Sequence, residues 1–197
     1  MWLDNKFLIL QKILEKEKGS LLDVGCRDQI LKKFLNEDID YKGADIVQNK
    51  QNTNIIQDFN KELNLSDNSF DTITALDVLE HTEEPLKIIK KLLQISKKQL
   101  IINLPNIAYY EKRLNFLMMG DLGNKYHFSG TKNQDRHHWF TNYILIQKFI
   151  SLNFSNYKII PVFKTRNKLK FLFYIEKYLY KIFPNLFCWS LLIIIKK

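Results

Sequence analysis

The sequence predicts an α/β fold: a doubly wound, mostly parallel sheet of seven strands with helices on both faces. Three observations carry this. Short apolar runs alternate with helical patterns from residue 20 to 105, the rhythm of strand–helix–strand crossovers. Four consecutive strands in that stretch end at a carboxylate, and an open α/β sheet binds its ligand outside the carboxyl ends of its strands. The 197 residues are 46% hydrophobic, with 6 Gly and 4 Pro. That composition suffices for a full core and excludes linker-rich and collagen-like chains. The expected organisation is one domain over residues 1–197.

Phe7, Leu10, Ile13 and Leu14 recur at helical spacing, so residues 3–17 predict a helix within an N-terminal segment 1–18, stopped by Gly19. SLLDVG (20–25) predicts a buried strand. Asp28 is placed to cap a second helix running to about Leu35. DYKGADI (40–46), TNIIQD (53–58) and SFDTITAL (69–76) read as the second, third and fourth strands. Leu86–Ile95 reads as a helix, with Glu83 and Glu84 where its dipole favours acids. KQLIINLP (98–105) is a fifth strand, stopped by Pro105.

Residues 106–141 lose the periodicity and predict an irregular cover rich in Tyr and His. Asn142–Leu152 resumes a helical pattern, and SNYKIIPVF (155–163) predicts a sixth strand. Within the basic, aromatic segment 164–183, residues 168–183 predict a helix. Its Phe171, Tyr174 and Tyr178 form a stripe expected in the core, with Lys170, Lys177 and Lys181 facing water. The wide apolar face also suits a peripheral membrane surface. The ten-residue apolar run inside NLFCWSLLIIIKK (185–197) is too short to span a bilayer and reads as a seventh strand.

The net charge of +9 is unevenly spread. Residues 1–160 carry a net of +2, and residues 161–197 a net of +7, with Glu176 their single acid. Lysines outnumber arginines 26 to 4, whereas readers of base edges rely on Arg forks. Nucleic acid is therefore not the expected partner. Cys26 and Cys188 are too few for a disulfide framework or a zinc site, and no metal is assigned. Asp4 and Lys6 interrupt the first apolar stretch, so no signal peptide is expected and the compartment reads as cytoplasmic.

The chemistry concentrates at the strand ends. The first strand runs into Asp23-Val24-Gly25-Cys26-Arg27-Asp28, and the second ends at Asp45, 20 residues after Gly25. The third ends at Asp58-Phe59, and the fourth at Leu76-Asp77, followed by Glu80 and His81. This row suits a nucleoside bearing a cationic arm. Gly25 permits close backbone approach. Asp45 is placed to accept both ribose hydroxyls. Asp58 is placed to accept from an adenine amino group, with Phe59 against the ring. Asp23 and Asp77 attract an α-amino group and a sulfonium by charge.

The order LLDVGC, GADI, QDF, FDTITALDVLEH and LIINLPN resembles class I S-adenosylmethionine-dependent methyltransferases. The stretch from LPN through RLNFLMMG to HHWFTNYILIQKF is similar to their MetW-like branch. The resemblance covers roughly residues 20–160, with a weaker echo in PNLFCWSLLIII. It implies a Rossmann-like methyltransferase fold and S-adenosyl-L-methionine as cofactor. It implies cofactor contacts at Asp23, Gly25, Cys26, Arg27, Asp45, Asp58, Phe59, Leu76 and Asp77. It also makes residues 106–141 the acceptor-side cover. Where the family's first loop runs Asp-x-Gly-x-Gly-x-Gly, Arg27 and Gln29 stand at the second and third glycines.

The expected activity is methyl transfer to a small-molecule or glycan-type acceptor, with oxygen the methylated atom. A hydroxyl needs a general base, and His137 or His138 is the candidate. His127 lies in the same stretch, and His81 reads equally as structural or active. Cys26 reads as packing, because it lacks the Pro-Cys context of base C5-methylation. A dehydrogenase is disfavoured by the missing G-x-G-x-x-G. A nucleic-acid methyltransferase is an alternative, though the Asn/Asp-Pro-Pro-aromatic run of amino-methylating enzymes is missing. A non-catalytic binding module on the same fold is the other. The oligomeric state is left open.

Overall fold

A computed structural model describes residues 5–46, 48, 55–61, 63–127, 136–164 and 170–197. In chain order, helix α1 (Asn5–Leu14) precedes β1 (Gly19–Val24), β2 (Ile39–Asp45), β3 (Ile55–Ile56) and β4 (Phe70–Leu76). Next come α2 (Pro85–Ile95), β5 (Ser96–Pro105), α3 (Tyr110–Met119), α4 (Tyr143–Asn153) and β6 (Tyr157–Val162). The chain closes with α5 (Lys170–Tyr180), α6 (Pro184–Phe187) and β7 (Ser190–Lys196). The seven strands form one sheet in the order β3-β2-β1-β4-β5-β7-β6. β7 runs antiparallel to both β5 and β6, and the other pairings are parallel. This is the class I methyltransferase fold.

Both faces of the sheet are covered, and the pleat sorts the side chains between them. Leu191, Ile193 and Ile195 of β7 join Leu22, Ile73, Leu100 and Ile102 beneath α2 and α4. Leu192 and Ile194 point the other way, with Leu21 and Ile101, against Leu10 and Leu14 of α1. The near-continuous apolar strands are the signature of burial on two sides. Each buried Leu or Ile contributes about 1.5–3 kcal/mol, so the strand ends rest on a rigid platform.

Several expectations are corrected. The helix expected after Asp28 is a single 3-10 turn, Leu31–Phe34, with no side-chain cap. Arg27 and Gln29 adopt left-handed φ of 40° and 52°, which turns the chain away from a helix at that point. Gly19 opens β1 at φ 105° rather than ending α1, which stops at Leu14. The third strand is only Ile55–Ile56, and residues 53–54 of its expected span lie outside the described residues. Residues 106–141 are not irregular throughout, because α3 occupies ten of them and ends at Gly120 in the left-handed region. Leu114, Phe116, Leu117, Met118 and Met119 are all exposed. They surround the helix instead of marking one face, so no amphipathic period announces it.

The expected core stripe of α5 is also corrected. Tyr174 and Tyr178 are 70% and 66% exposed. The face turned inward carries Phe173 and Tyr180, which meet Phe163 edge to face, and buried Glu176. Aromatic residues stand on both sides of this helix, so spacing alone did not select the buried one. The side chains of Lys170 and Phe171 lie outside the described residues, while Lys177 and Lys181 are exposed as expected.

Candidate functional site

The loop leaving β1 is tied to the tip of β2. Gly25 and Cys26 both donate backbone N–H bonds to the Ala44 carbonyl. Gly25 sits at φ 70°, and a Cβ there would collide with Val78. Arg27 and Gln29 keep left-handed backbone although neither is glycine. The loop thus follows a glycine-type path at the cost of local strain. Arg27 donates its N–H to Asp45 Oδ2 at 2.8 Å, and Ile46 donates to Oδ1 at 2.7 Å. Asp45 is buried, not solvent-facing. Cys26 is buried against Gly43, as packing.

Asp23 is buried beneath that loop. Its Oδ2 accepts from Tyr41 at 2.8 Å and its Oδ1 from Thr74 at 2.7 Å. Burial pushes its carboxyl up to about 6, against the pull of those two hydrogen bonds. Its geometry is that of a brace joining β1, β2 and β4. Asp77, at φ 56° after β4, holds two partners at 2.5 Å, the Lys6 ammonium and the Asn103 amide. Lys6 brings α1 over the same edge.

Asp58 is half-buried and accepts from the Asn60 N–H. Phe59 belongs to the buried core and Leu76 packs against the opposite cluster. The structure thus gathers Gly25, Arg27, Asp45 and Asp77 along one edge, with Asp23 below it. This acidic, glycine-turned edge fits a nucleoside with a cationic arm. Sequence reasoning missed Lys6, Tyr41, Thr74 and Asn103. Each is an ordinary helix or strand residue by pattern, and only strand register reveals its partner.

Beyond Asp77 the chain forms a short 3-10 turn, Leu79–His81. Glu80 is 1% exposed, and its carboxyl is pushed up to about 8 by burial and then by the Asp77 charge. His137 Nε2 lies 4.0 Å from Glu80 Oε1, and His137 Nδ1 lies 2.8 Å from the Tyr126 hydroxyl. The His81 and His137 rings meet edge to face at 4.6 Å. His138 is exposed and donates its backbone N–H to the Glu80 carbonyl. His127 pairs with Asp121 away from this cluster, at 2.8 Å. Asp135 lies outside the described residues. A cavity of about 1200 Å³ opens between α2 and α4, and Phe59, Leu79 and Glu80 are among its lining residues. It is a side groove, not the carboxylate edge.

The family model described as methionine biosynthesis protein MetW matches residues 5–187. Among curated proteins no match was found. Solved structures are similar over nearly the whole chain. A SAM-dependent methyltransferase from Archaeoglobus fulgidus shares 18% identity, with a TM-score of 0.62, covering 98% of this chain and 97% of its own. A putative methyltransferase from Bacillus halodurans shares 13%, with a TM-score of 0.58, covering 98% and 99%. A possible histamine N-methyltransferase from Thermotoga maritima shares 14%, with a TM-score of 0.58, covering 97% and 89%.

Proposed function

The chain belongs to the MetW family, and on that premise we propose that it transfers the methyl group of S-adenosylmethionine to an oxygen of a small-molecule or glycan-type acceptor. The observation that carries this reading is the carboxylate edge around the left-handed 25–29 loop. Asp45 would take the ribose, Asp58 the adenine amino group, and Asp77 the cationic arm. Asp23 would act through the loop it braces. Bound cofactor would supply an activated methyl carbon, and these residues would align it and exclude water. An oxygen acceptor must lose a proton, and His137 or His138 would take it, with Glu80 and His81 beside His137.

Calorimetry with S-adenosylmethionine and S-adenosylhomocysteine tests the first half. Micromolar binding of both supports it, and no binding of either leaves the non-catalytic module. Methyl-label transfer into cell extract, fractionated into glycan, small-molecule and RNA pools, tests the acceptor. Label confined to RNA would sink the glycan or small-molecule reading.

The acceptor is further proposed to lie at an anionic membrane surface. No helix among the described residues is long and apolar enough to cross a membrane. Tyr174, Ile175, Tyr178, Ile182 and Phe183 are exposed beside Lys177 and Lys181, a pairing of apolar face and basic flank that suits lipid headgroups.

A further inference from the structure

We propose that Glu80, His81 and His137 form a binding site for one divalent first-row transition-metal ion. Each offers a ligand atom, and the three atoms lie within 4.8 Å of one another. Two histidines and a carboxylate gathered this closely make a donor set for zinc, manganese, iron or cobalt rather than for calcium or magnesium, which prefer all-oxygen sites.

The surroundings hold the donors in the required state. His81 Nδ1 lies 2.8 Å from the Arg136 carbonyl. A carbonyl only accepts, so the ring proton sits on Nδ1 and the Nε2 lone pair is available to a cation. His137 Nδ1 is held by the Tyr126 hydroxyl, which turns Nε2 toward Glu80. Metal-bound histidines are fixed in this way by a partner on the other ring nitrogen. Glu80 supplies the independent sign. Its Oε2 is buried and has no hydrogen-bond partner among the described residues. A buried acceptor left unmet is costly, and a cation in the cluster satisfies it.

An ion about 2.0–2.2 Å from each donor sets neighbouring ligands roughly 3–3.4 Å apart. The cluster therefore closes by about an ångström on binding, within reach of side-chain rotation. Three protein ligands leave at least one coordination position for an outside oxygen. The metal site stands on these contacts alone. Its use rests on the oxygen-acceptor reading above: a hydroxyl bound to the ion loses its proton more readily, and no histidine base is then required. His81 and His137 are 56 residues apart in the chain, so no local motif betrays the site.

The test is calorimetric titration of chelator-treated protein with Co²⁺, Zn²⁺ and Mn²⁺, alongside S-adenosylhomocysteine. One ion per chain with a Kd below about 10 μM is expected. Glu80→Gln, nearly isosteric, and His137→Gln should each weaken it at least about 100-fold. His127→Gln, on the surface, should not change it. Wild-type protein that binds none of the three ions, or Glu80→Gln binding them as wild type does, overturns the site. Should His137→Gln fail to fold, the wild-type and Glu80→Gln titrations still decide. Metal binding without S-adenosylhomocysteine binding would leave this site standing and remove the methyl-transfer reading. The converse would remove the site alone.

Discussion

Arg27 and Asp45 are joined by a 2.8 Å hydrogen bond from the Arg27 backbone N–H to the Asp45 carboxylate. A single side chain therefore holds the loop after β1 against the tip of β2, at the point where the ribose of the proposed cofactor would lie.

Asp45→Ala should consequently lose both stability and affinity. Hydrogen bonds to a charged acceptor are worth about 1.5–3 kcal/mol each. S-adenosylmethionine binding should weaken by roughly one to three orders of magnitude, and the unliganded protein should also lose about 1–3 kcal/mol. Asp45→Asn keeps one acceptor oxygen and should lose less of each. Calorimetry and urea denaturation of both variants check this. Unchanged affinity in a folded Asp45→Ala protein would remove the ribose role.

The loop's backbone makes a separate, sign-dependent prediction. Gly25→Ala meets both a left-handed φ and Val78, and should destabilise by about 1–3 kcal/mol. Gly25→Ala/Val78→Ala should recover part of that, since only the collision is relieved. Arg27 is exposed and left-handed, so Arg27→Gly should relieve about 1–2 kcal/mol of backbone strain against about 0.4–1 kcal/mol of added unfolded-chain entropy, a small net stabilisation. Denaturation midpoints decide, and a destabilised Arg27→Gly would show that its side chain outweighs the strain.

Asp23 gives a pH dependence. Its carboxyl is raised to about 6 in the folded protein by burial, against about 3.9 unfolded. The folded state therefore binds the proton more tightly, and this group's contribution to stability falls as pH rises between about 4 and 6. The span corresponds to about 3 kcal/mol. Asp23→Asn, uncharged throughout, should lose less stability than wild type between pH 4.5 and pH 7. An equal change in unfolding free energy between those two pH values for wild type and Asp23→Asn, from urea melts, would contradict a buried, raised Asp23.

The β-sheet was legible because its residues speak locally. SLLDVG, SFDTITAL and LLIII are apolar runs that no exposed element would carry, and the strand-end aspartates mark the carboxyl edge of the sheet by position alone. What was not legible depends on contacts made across the fold. Lys6 reaches Asp77 over 71 residues, and Tyr41 and Thr74 meet Asp23 only once β1, β2 and β4 are in register. Phe59, legible as a ring-stacking candidate, is part of the buried core and also lines the groove between α2 and α4. Helices α3 and α5 misled for the opposite reason. Both carry apolar residues on more than one side, and periodicity identifies a buried face only when the other face is polar.

That surplus apolar surface on α5 is the basis of the membrane prediction. Its inward side is already occupied, because Glu176 Oε1 accepts from the Tyr109 hydroxyl at 2.8 Å and the Tyr110 hydroxyl at 3.1 Å. The outward side keeps Tyr174, Ile175 and Tyr178 in water, and each apolar side chain left there forgoes about 1.5–3 kcal/mol of burial. Lys177 and Lys181 lie beside them, in a C-terminal stretch with a net charge of +7, and each lysine near an anionic leaflet adds about 1 kcal/mol. The protein should therefore float with vesicles containing phosphatidylserine or phosphatidylglycerol and not with neutral phosphatidylcholine vesicles. Raising salt should weaken the binding, because the lysine contribution is screened within a Debye length. Lys177→Glu/Lys181→Glu should abolish the preference for anionic lipid, and Tyr174→Ser/Tyr178→Ser should reduce binding at every salt concentration. Equal flotation of wild type and both double variants, or none with any vesicle, would show that this face serves something other than a bilayer.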